Sequence, residues 1–232
     1  MEQLGLGLLG TGLGAGLALL AHQTLRAGRA RMAGRRAYFD HCAEGLVTPR
    51  RGEGSAGFPR LAGYHGGAEF DLQAVPDTLT FRKLPALWVL VTLPVQLPLR
   101  ATLDLMIRPT GVEPFSHFHS LPDQITPPPG FPEDCALRSD APEALPPEDI
   151  LAPHLGLFAD DSVKELILSP KGLRITFLAD EANRGRYLIF RDAELGGTPL
   201  PFARILPHLD TLLSLRRDLL ARLAPPLARA AG

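Results

Sequence analysis

The sequence predicts an α+β protein in which a single N-terminal transmembrane helix precedes an antiparallel β-sheet domain, and a C-terminal amphipathic helix covers that sheet. Three observations predict this class. Residues 4–25 are apolar and carry no charged side chain, with the one histidine counted as neutral. Between residues 68 and 178, several stretches alternate apolar and polar residues, which is typical of half-buried strands. Leucines then recur at helical spacing between residues 205 and 223.

Residues 1–25 are predicted to form an uncleaved membrane anchor. At 1.5 Å per residue, about 20 helical residues cross a bilayer core of about 30 Å. No Lys or Arg precedes the apolar run, whereas five arginines follow it before the first acid, Asp40. These are Arg26, Arg29, Arg31, Arg35 and Arg36. Because Lys and Arg stay on the cytoplasmic side, we expect a single-pass protein of a bacterial inner membrane, with its N-terminus outside and its body in the cytoplasm.

Two alternatives remain for this N-terminal segment. A cleaved signal peptide also has an apolar core, although it normally begins with positive residues, and here only Met1, Glu2 and Gln3 precede the run. The second alternative is a soluble protein whose N-terminal helix is buried in its own core.

Glycines on the predicted anchor indicate a helix-packing face. Gly10 and Gly14 are four residues apart, as are Gly12 and Gly16, so the two pairs lie on nearly one side of a helix. Small residues at this spacing let membrane helices approach closely. We therefore expect the anchor to associate with a membrane-protein partner or with itself. The alternative is that a glycine-rich span contains such pairs by chance.

Residues 26–62 are predicted to be a basic neck and tether. The arginines of the neck suit anionic lipid headgroups, so membrane lipid is an expected partner. Glycines and prolines between residues 45 and 59 predict irregular backbone. Residues 63–232 are then the predicted cytoplasmic α+β domain.

The predicted strands of this domain follow from alternating or continuous apolar runs. They lie near residues 68–72, 79–81, 87–95 and 100–108, and then at 163–168, 173–178 and 186–191. Ser169 to Gly172 predicts a tight hairpin turn, because proline presets φ and glycine permits an unusual one. Between the two groups, residues 109–153 form a proline-rich excursion with a short strand at 135–138 and a short helix at 148–157.

Residues 205–223 predict an amphipathic helix that ends before Pro225 and Pro226. We expect its leucine face to pack on the sheet. The alternative is that this face lies on a membrane or on a partner helix.

Composition excludes some classes of function. The chain of 232 residues has 24 Lys and Arg against 25 Asp and Glu, a net charge of −1. A nucleic-acid-binding domain normally carries a basic field, so no nucleic-acid partner is expected. Two cysteines, Cys42 and Cys135, are too few for a disulfide scaffold. No cofactor is predicted.

His117 and His119 are the candidate metal ligands. Two imidazoles at this spacing can share one side of an extended segment, but a catalytic zinc site needs a third protein ligand. Possible third ligands are His41, Cys42, His65, Asp123 and Cys135, and no spacing connects them to the pair. The alternative is two exposed loop histidines, and no metal site or catalytic residue is predicted.

The order of a span, a basic neck and a β-rich body resembles many bacterial single-span proteins and the accessory subunits of energy-converting membrane complexes. We therefore predict a membrane-anchored, non-enzymatic interaction or accessory protein. A membrane-tethered module that binds a lipid or a small apolar ligand is the alternative, and a metal-dependent enzyme is a third.

Overall fold

The computed structural model describes residues 2–78, 84–190 and 193–223, with all side chains in these ranges except those of residues 2–13, 186 and 190. The helices are α1 (Glu2–Arg36), α2 (Asp40–Glu44), α3 (Glu148–Leu151), α4 (Arg184–Phe190) and α5 (Phe202–Leu223). The strands are β1 (Val47–Glu53), β2 (Pro59–His65), β3 (Ala68–Asp77), β4 (Ala86–Pro94), β5 (Leu103–Ile107), β6 (Asp123–Ile125), β7 (Cys135–Ser139), β8 (Val163–Ser169) and β9 (Gly172–Glu181).

The nine strands form one antiparallel sheet in the order β1-β2-β3-β4-β9-β8-β5-β7-β6. The β8–β9 hairpin turns at Ser169 to Gly172, where the sequence predicts it. It lies between β4 and β5, so two parts of the chain that are distant in sequence meet in one sheet. The predicted α+β class is confirmed.

Helix α5 packs its apolar face against one side of this sheet. Its buried leucines include Leu209, Leu212 and Leu219, each fully inaccessible to solvent. They belong to the same core cluster as Leu87 and Val91 of β4. Helix α5 therefore covers the sheet with its leucine face, as predicted, because packing on the sheet removes these leucines from water.

The opposite side of the sheet carries a smaller apolar cluster. Here Leu90 of β4 and Met106 of β5 pack with Phe115 and Phe118. Both phenylalanines belong to the segment 108–122, which crosses this face and is named here the cover segment. The ring of Trp88 lies 4.6 Å from that of Phe115. The sheet is thus buried on both sides over its centre.

Helix α1 projects from the domain and contacts it at its C-terminal end. The guanidinium of Arg35 lies 5.4 Å from the centre of the Phe58 ring and donates a hydrogen bond of 3.0 Å to the carbonyl of Ala56. Residues 14–27 are exposed. No helix in the described part of the chain has both the length and the hydropathy required to cross a bilayer. The transmembrane prediction is therefore unsupported, and the division at residues 25 and 62 stays a prediction.

Residues 38–62 differ from the predicted tether, since they contain α2 and strands β1 and β2. Strand β1 carries no apolar alternation because all seven of its residues are exposed at the sheet edge, where backbone pairing with β2 holds it. Tyr38 and Phe39, which directly precede α2, are buried core residues. This stretch is part of the fold, and glycine and proline content alone did not predict that.

The strand predicted at residues 186–191 is wrong where the structure describes it, because α4 occupies Arg184–Phe190. The apolar residues that suggested a strand are exposed: Leu188 is 58% and Ile189 is 75% accessible. Strand β3 continues beyond residue 72, where the predicted strand ends, as far as Asp77. The strand predicted at residues 79–81 lies outside the described residues.

Candidate functional site: an apolar cleft beneath the proline-rich segment

The proline-rich excursion forms one wall of an apolar cleft at the β5-β7-β6 end of the sheet. The cleft has a volume of about 500 Å³, within the range of about 300–1,000 Å³ that is common for ligand sites. Its lining is almost entirely aliphatic, aromatic or proline, and comprises Leu103, Ile125, Pro128, Phe131, Leu137, Pro142, Leu145, Pro146, Pro147, Glu148 and Leu151.

The cleft exists because the proline-rich stretches on either side of β7, residues 126–134 and 140–147, do not continue the sheet. Proline lacks a backbone N–H and fixes φ, so it does not continue a hydrogen-bonded strand. The segment instead makes isolated turns, in which the amide of Phe131 donates to the carbonyl of Pro128 at 3.2 Å and that of Leu145 to Pro142 at 3.4 Å. These turns hold apolar side chains over the sheet without closing on it.

The floor of the cleft is rigid and its walls are partly solvated. Leu103, Leu137 and Leu151 are at most 3% accessible and belong to the main core. Phe131 and Leu145 pack on that core but stay half-buried. A site of this composition recognises its ligand through shape and apolar contact, while the exposed Glu148 supplies a charge at the rim.

Two buried acidic residues lie under the cover segment. Asp104 of β5 and Glu165 of β8 are 2% and 0% accessible. Asp104 Oδ1 and Glu165 Oε1 have no hydrogen-bond partner among the described residues. Two buried carboxyl groups that neighbour each other in the sheet oppose each other's ionisation, so protonation of the pair is favoured.

The pKa values of both acids follow from this burial. Desolvation, followed by the charge and the hydrogen bond of Glu165, raises the pKa of Asp104 to about 9, against a smaller opposing effect of Arg174. Burial also raises the pKa of Glu165, although Ser116 and Thr176 donate hydrogen bonds to it. The pair is sealed from solvent, so it is a structural element of the fold and not an open binding site.

The structure describes the surroundings of two of the four glycines in the predicted helix-packing face. Nothing lies within 4 Å of a Cβ built on Gly14 or Gly16, so this side of α1 is open. The side chains around Gly10 and Gly12 lie outside the described residues. The glycine face therefore stays a prediction.

The five predicted arginines separate into two groups. Arg35 is half-buried against the domain, as described above. The other four are exposed along α1, namely Arg26, Arg29, Arg31 and Arg36. None of the five lines the apolar cleft.

The structure places His117 and His119 on the cover segment, and both are exposed. The ring of His119 lies 5.2 Å from that of Phe118 and perpendicular to it. Among the residues that the structure describes, no group of three or more His, Cys, Asp and Glu side chains could hold a metal ion.

Neither cysteine has the surroundings of a reactive thiol. Cys42 is buried, donates a hydrogen bond of 3.2 Å to the carbonyl of Leu200, and has a pKa raised by burial to about 12. Burial, together with the charge of Asp134, raises the pKa of Cys135. A thiol with a raised pKa is mostly protonated at neutral pH and is a poor nucleophile.

The fold and the cleft together define an α+β protein with an open apolar cleft at the β5-β7-β6 end of its sheet. No protein-family model matches the chain, and the comparison with curated proteins finds no relative. Among solved structures, the chain has a weak likeness to the mycobacterial trehalose monomycolate transport factor A, TtfA, with a TM-score of 0.36 and 13% identity over 85% of this chain and 98% of that one.

Proposed function

We propose that the protein is a non-enzymatic accessory protein whose apolar cleft binds a lipid or another apolar ligand close to a membrane. The observation that carries this proposal is the cleft of about 500 Å³ itself, with its buried leucine floor and half-buried proline and aromatic walls. A cavity lined in this way lowers its free energy when an apolar group replaces water.

Helix α1 supports the membrane part of the proposal. Leu17, Leu20 and Leu25 are 59%, 59% and 61% accessible, and they are followed by the exposed arginines of the helix. Exposed leucines together with arginines suit contact with the interface of an anionic membrane. We propose that α1 brings the domain to such a surface, with the domain on the cytoplasmic side.

Filling the cleft should weaken ligand capture. In the Leu145→Trp variant, the larger side chain would occupy the space between the wall and the floor. We expect the affinity for Nile red, an uncharged apolar probe, to fall about 10-fold, which is a loss of about 1.4 kcal/mol. Fluorescence titration measures the affinity, and thermal unfolding checks that the fold is retained.

The matched control for this experiment is Val112→Trp. Val112 is 93% accessible and lies on the cover segment, on the other side of the sheet. We expect this variant to bind Nile red like the wild type. If both variants bind as the wild type does, the cleft is not the ligand site.

A second candidate function is an interaction protein that acts through α1 alone, and the open Gly14 and Gly16 favour it. Removing residues 1–31 separates the two functions, because it spares Arg35 and the buried Tyr38. We expect the shortened protein to lose at least about 10-fold in binding to vesicles of phosphatidylglycerol and phosphatidylcholine, measured by flotation, while Nile red binding is unchanged. Loss of Nile red binding with vesicle binding intact would contradict both assignments.

A further inference from the structure

The segment that surrounds the cleft is strongly acidic. Residues 121–153 contain seven acidic residues and one arginine, although the whole chain is nearly neutral. The acids are Asp123, Glu133, Asp134, Asp140, Glu143, Glu148 and Asp149, and the arginine is Arg138. An apolar site with a rim of one sign of charge selects among ligands by the charge of their polar end.

One of these acids lines the cleft and a second lies beside it in sequence. Glu148 is part of the lining and is exposed. Glu143 is the central residue of the turn Pro142–Ala144, is also exposed, and follows Pro142, which lines the cleft. No intramolecular ion pair joins either carboxylate to a cation within the described residues. Both carboxylates therefore face solvent, that of Glu148 at the cleft and that of Glu143 in the adjacent turn.

Two of the seven acids are paired with arginines from outside the segment, since Arg108 lies 3.2 Å from Asp134 and Arg222 pairs with Asp149 at 2.5 Å. Arg138 donates hydrogen bonds of 2.8 Å and 3.2 Å to the carbonyls of Leu121 and Pro122. None of these arginines is part of the cleft lining. The rim therefore keeps a net negative charge.

We infer that the ligand of the cleft is an amphiphile with an apolar chain and a cationic head, and that fatty acids with an anionic head bind less tightly. This inference rests on the proposed ligand-binding function. The apolar chain would lie against Leu103, Leu137 and Leu151, and the head would remain at Glu148 and Glu143. An anionic head in the same place would face the like charges of Glu148 and Glu143.

The expected difference in affinity between a cationic and an anionic head is limited because the two carboxylates are exposed to solvent. A solvent-exposed pair of opposite charges raises an affinity by about 1.4- to 5-fold, and a like pair lowers it by a similar factor. The difference between a cationic and an anionic head beside two carboxylates therefore corresponds to roughly 10-fold in affinity at low salt. Because the charges are exposed, salt of about 0.5 M should remove most of this difference.

The test uses three probes with the same twelve-carbon chain on the full-length protein. Dodecyltrimethylammonium, dodecyl maltoside and dodecanoate are titrated below their micelle concentrations and followed by calorimetry. We expect the cationic probe to bind about 10-fold more tightly than the anionic one, with the uncharged probe between them. In the double variant Glu143→Gln and Glu148→Gln, the difference should shrink to about 2-fold, with the affinity for dodecyl maltoside unchanged.

A variant at a distant acid, Glu53→Gln, is the matched control, since Glu53 is exposed on the edge strand β1. It should leave all three affinities unchanged. Equal binding of the three probes, or tighter binding of dodecanoate, would overturn the charge selection and leave the proposed function standing. If none of the probes binds, and Nile red does not bind either, the proposed function itself fails.

Discussion

Replacing Asp104 with Asn is expected to stabilise the fold at neutral and alkaline pH, and to remove much of the pH dependence of its stability. The reason is the buried carboxyl pair, in which Asp104 is ionised in the unfolded chain at pH 7 but holds a proton in the folded protein. An asparagine keeps the shape of the side chain and donates its N–H to Glu165 without needing that proton. We expect a gain of about 3 kcal/mol at pH 9.

The direction in which stability changes with pH follows from the direction of the pKa shift. Burial raises the pKa of Asp104 to about 9 in the fold, whereas an exposed aspartate ionises near 3.8. A group whose folded pKa is raised contributes stability that is complete below the unfolded pKa and is lost as the pH rises through the folded one. The wild type should therefore lose stability between about pH 4 and pH 9. Arg174, Glu113 and Lys164 surround the pair, and the cover segment lies over it.

Urea unfolding at several pH values between 5 and about 9 measures this effect. The free energy of unfolding of the wild type should fall with pH more steeply than that of Asp104→Asn, and the two curves should diverge. Asp123→Asn is the control, because Asp123 is an exposed aspartate on β6. Parallel curves for the wild type and Asp104→Asn would show that Asp104 does not hold a proton in the folded protein.

Elements whose contacts are local could be predicted from the sequence. The hairpin of β8 and β9 needs one turn, and Pro170 and Gly172 specify it. Strand β4 is a continuous apolar run because both of its faces are covered, and α5 shows its leucine face by spacing alone. In each case the pattern of neighbouring residues contains the information.

The carboxyl pair could not be predicted, because it depends on a pairing between distant strands. Asp104 and Glu165 are 61 positions apart in sequence, and the register Asp104↔Ile167 and Met106↔Glu165 places them diagonally on one face. In sequence, each is a polar residue in an alternating strand, which suggests a solvated face. Only the cover segment, with Phe115 and Phe118, turns that face into an interior.

The cleft was predictable only in part. Its wall, the excursion at residues 109–153, is recognisable by its prolines, and a long segment of this kind suggests a functional role. Its floor comes from β5, β7 and α3, whose meeting requires the order of strands in the sheet. None of the predicted arginines and histidines lines the cleft. They were predicted from local composition, which does not show which strands meet in the sheet.

Replacing Gly172 with Ala is expected to destabilise the protein by about 3 kcal/mol or more. The sequence indicates one reason, namely that glycine permits an unusual φ in the turn, and the observed φ is +147°. The structure adds a second reason. A Cβ at this position would overlap the carbonyl oxygen of Leu93 and would lie 3.2 Å from both Pro94 Cα and Val95 N.

These neighbours are backbone atoms, so no side-chain rotation can relieve the overlap. Gly172 pairs with Pro94 where β9 begins beside the end of β4, and the amide of Val95 donates to the carbonyl of Lys171 at 3.2 Å. An alanine would have to move the two strands apart and weaken that contact. Since β4 and β9 join the two halves of the sheet, the loss should affect global unfolding and not only the turn.

Thermal and urea unfolding of Gly172→Ala against Gly52→Ala measure this prediction. A Cβ on Gly52 would meet only Arg60 Cβ at 3.9 Å, an ordinary contact, so that variant should stay within about 0.5 kcal/mol of the wild type. We expect the Tm of Gly172→Ala to fall by roughly 10 °C. Equal stability of the two variants would mean that β4 and β9 do not approach each other closely at the turn. A large loss in Gly172→Ala alone would show that the close backbone approach of β4 and β9 at this turn contributes to the stability of the whole fold.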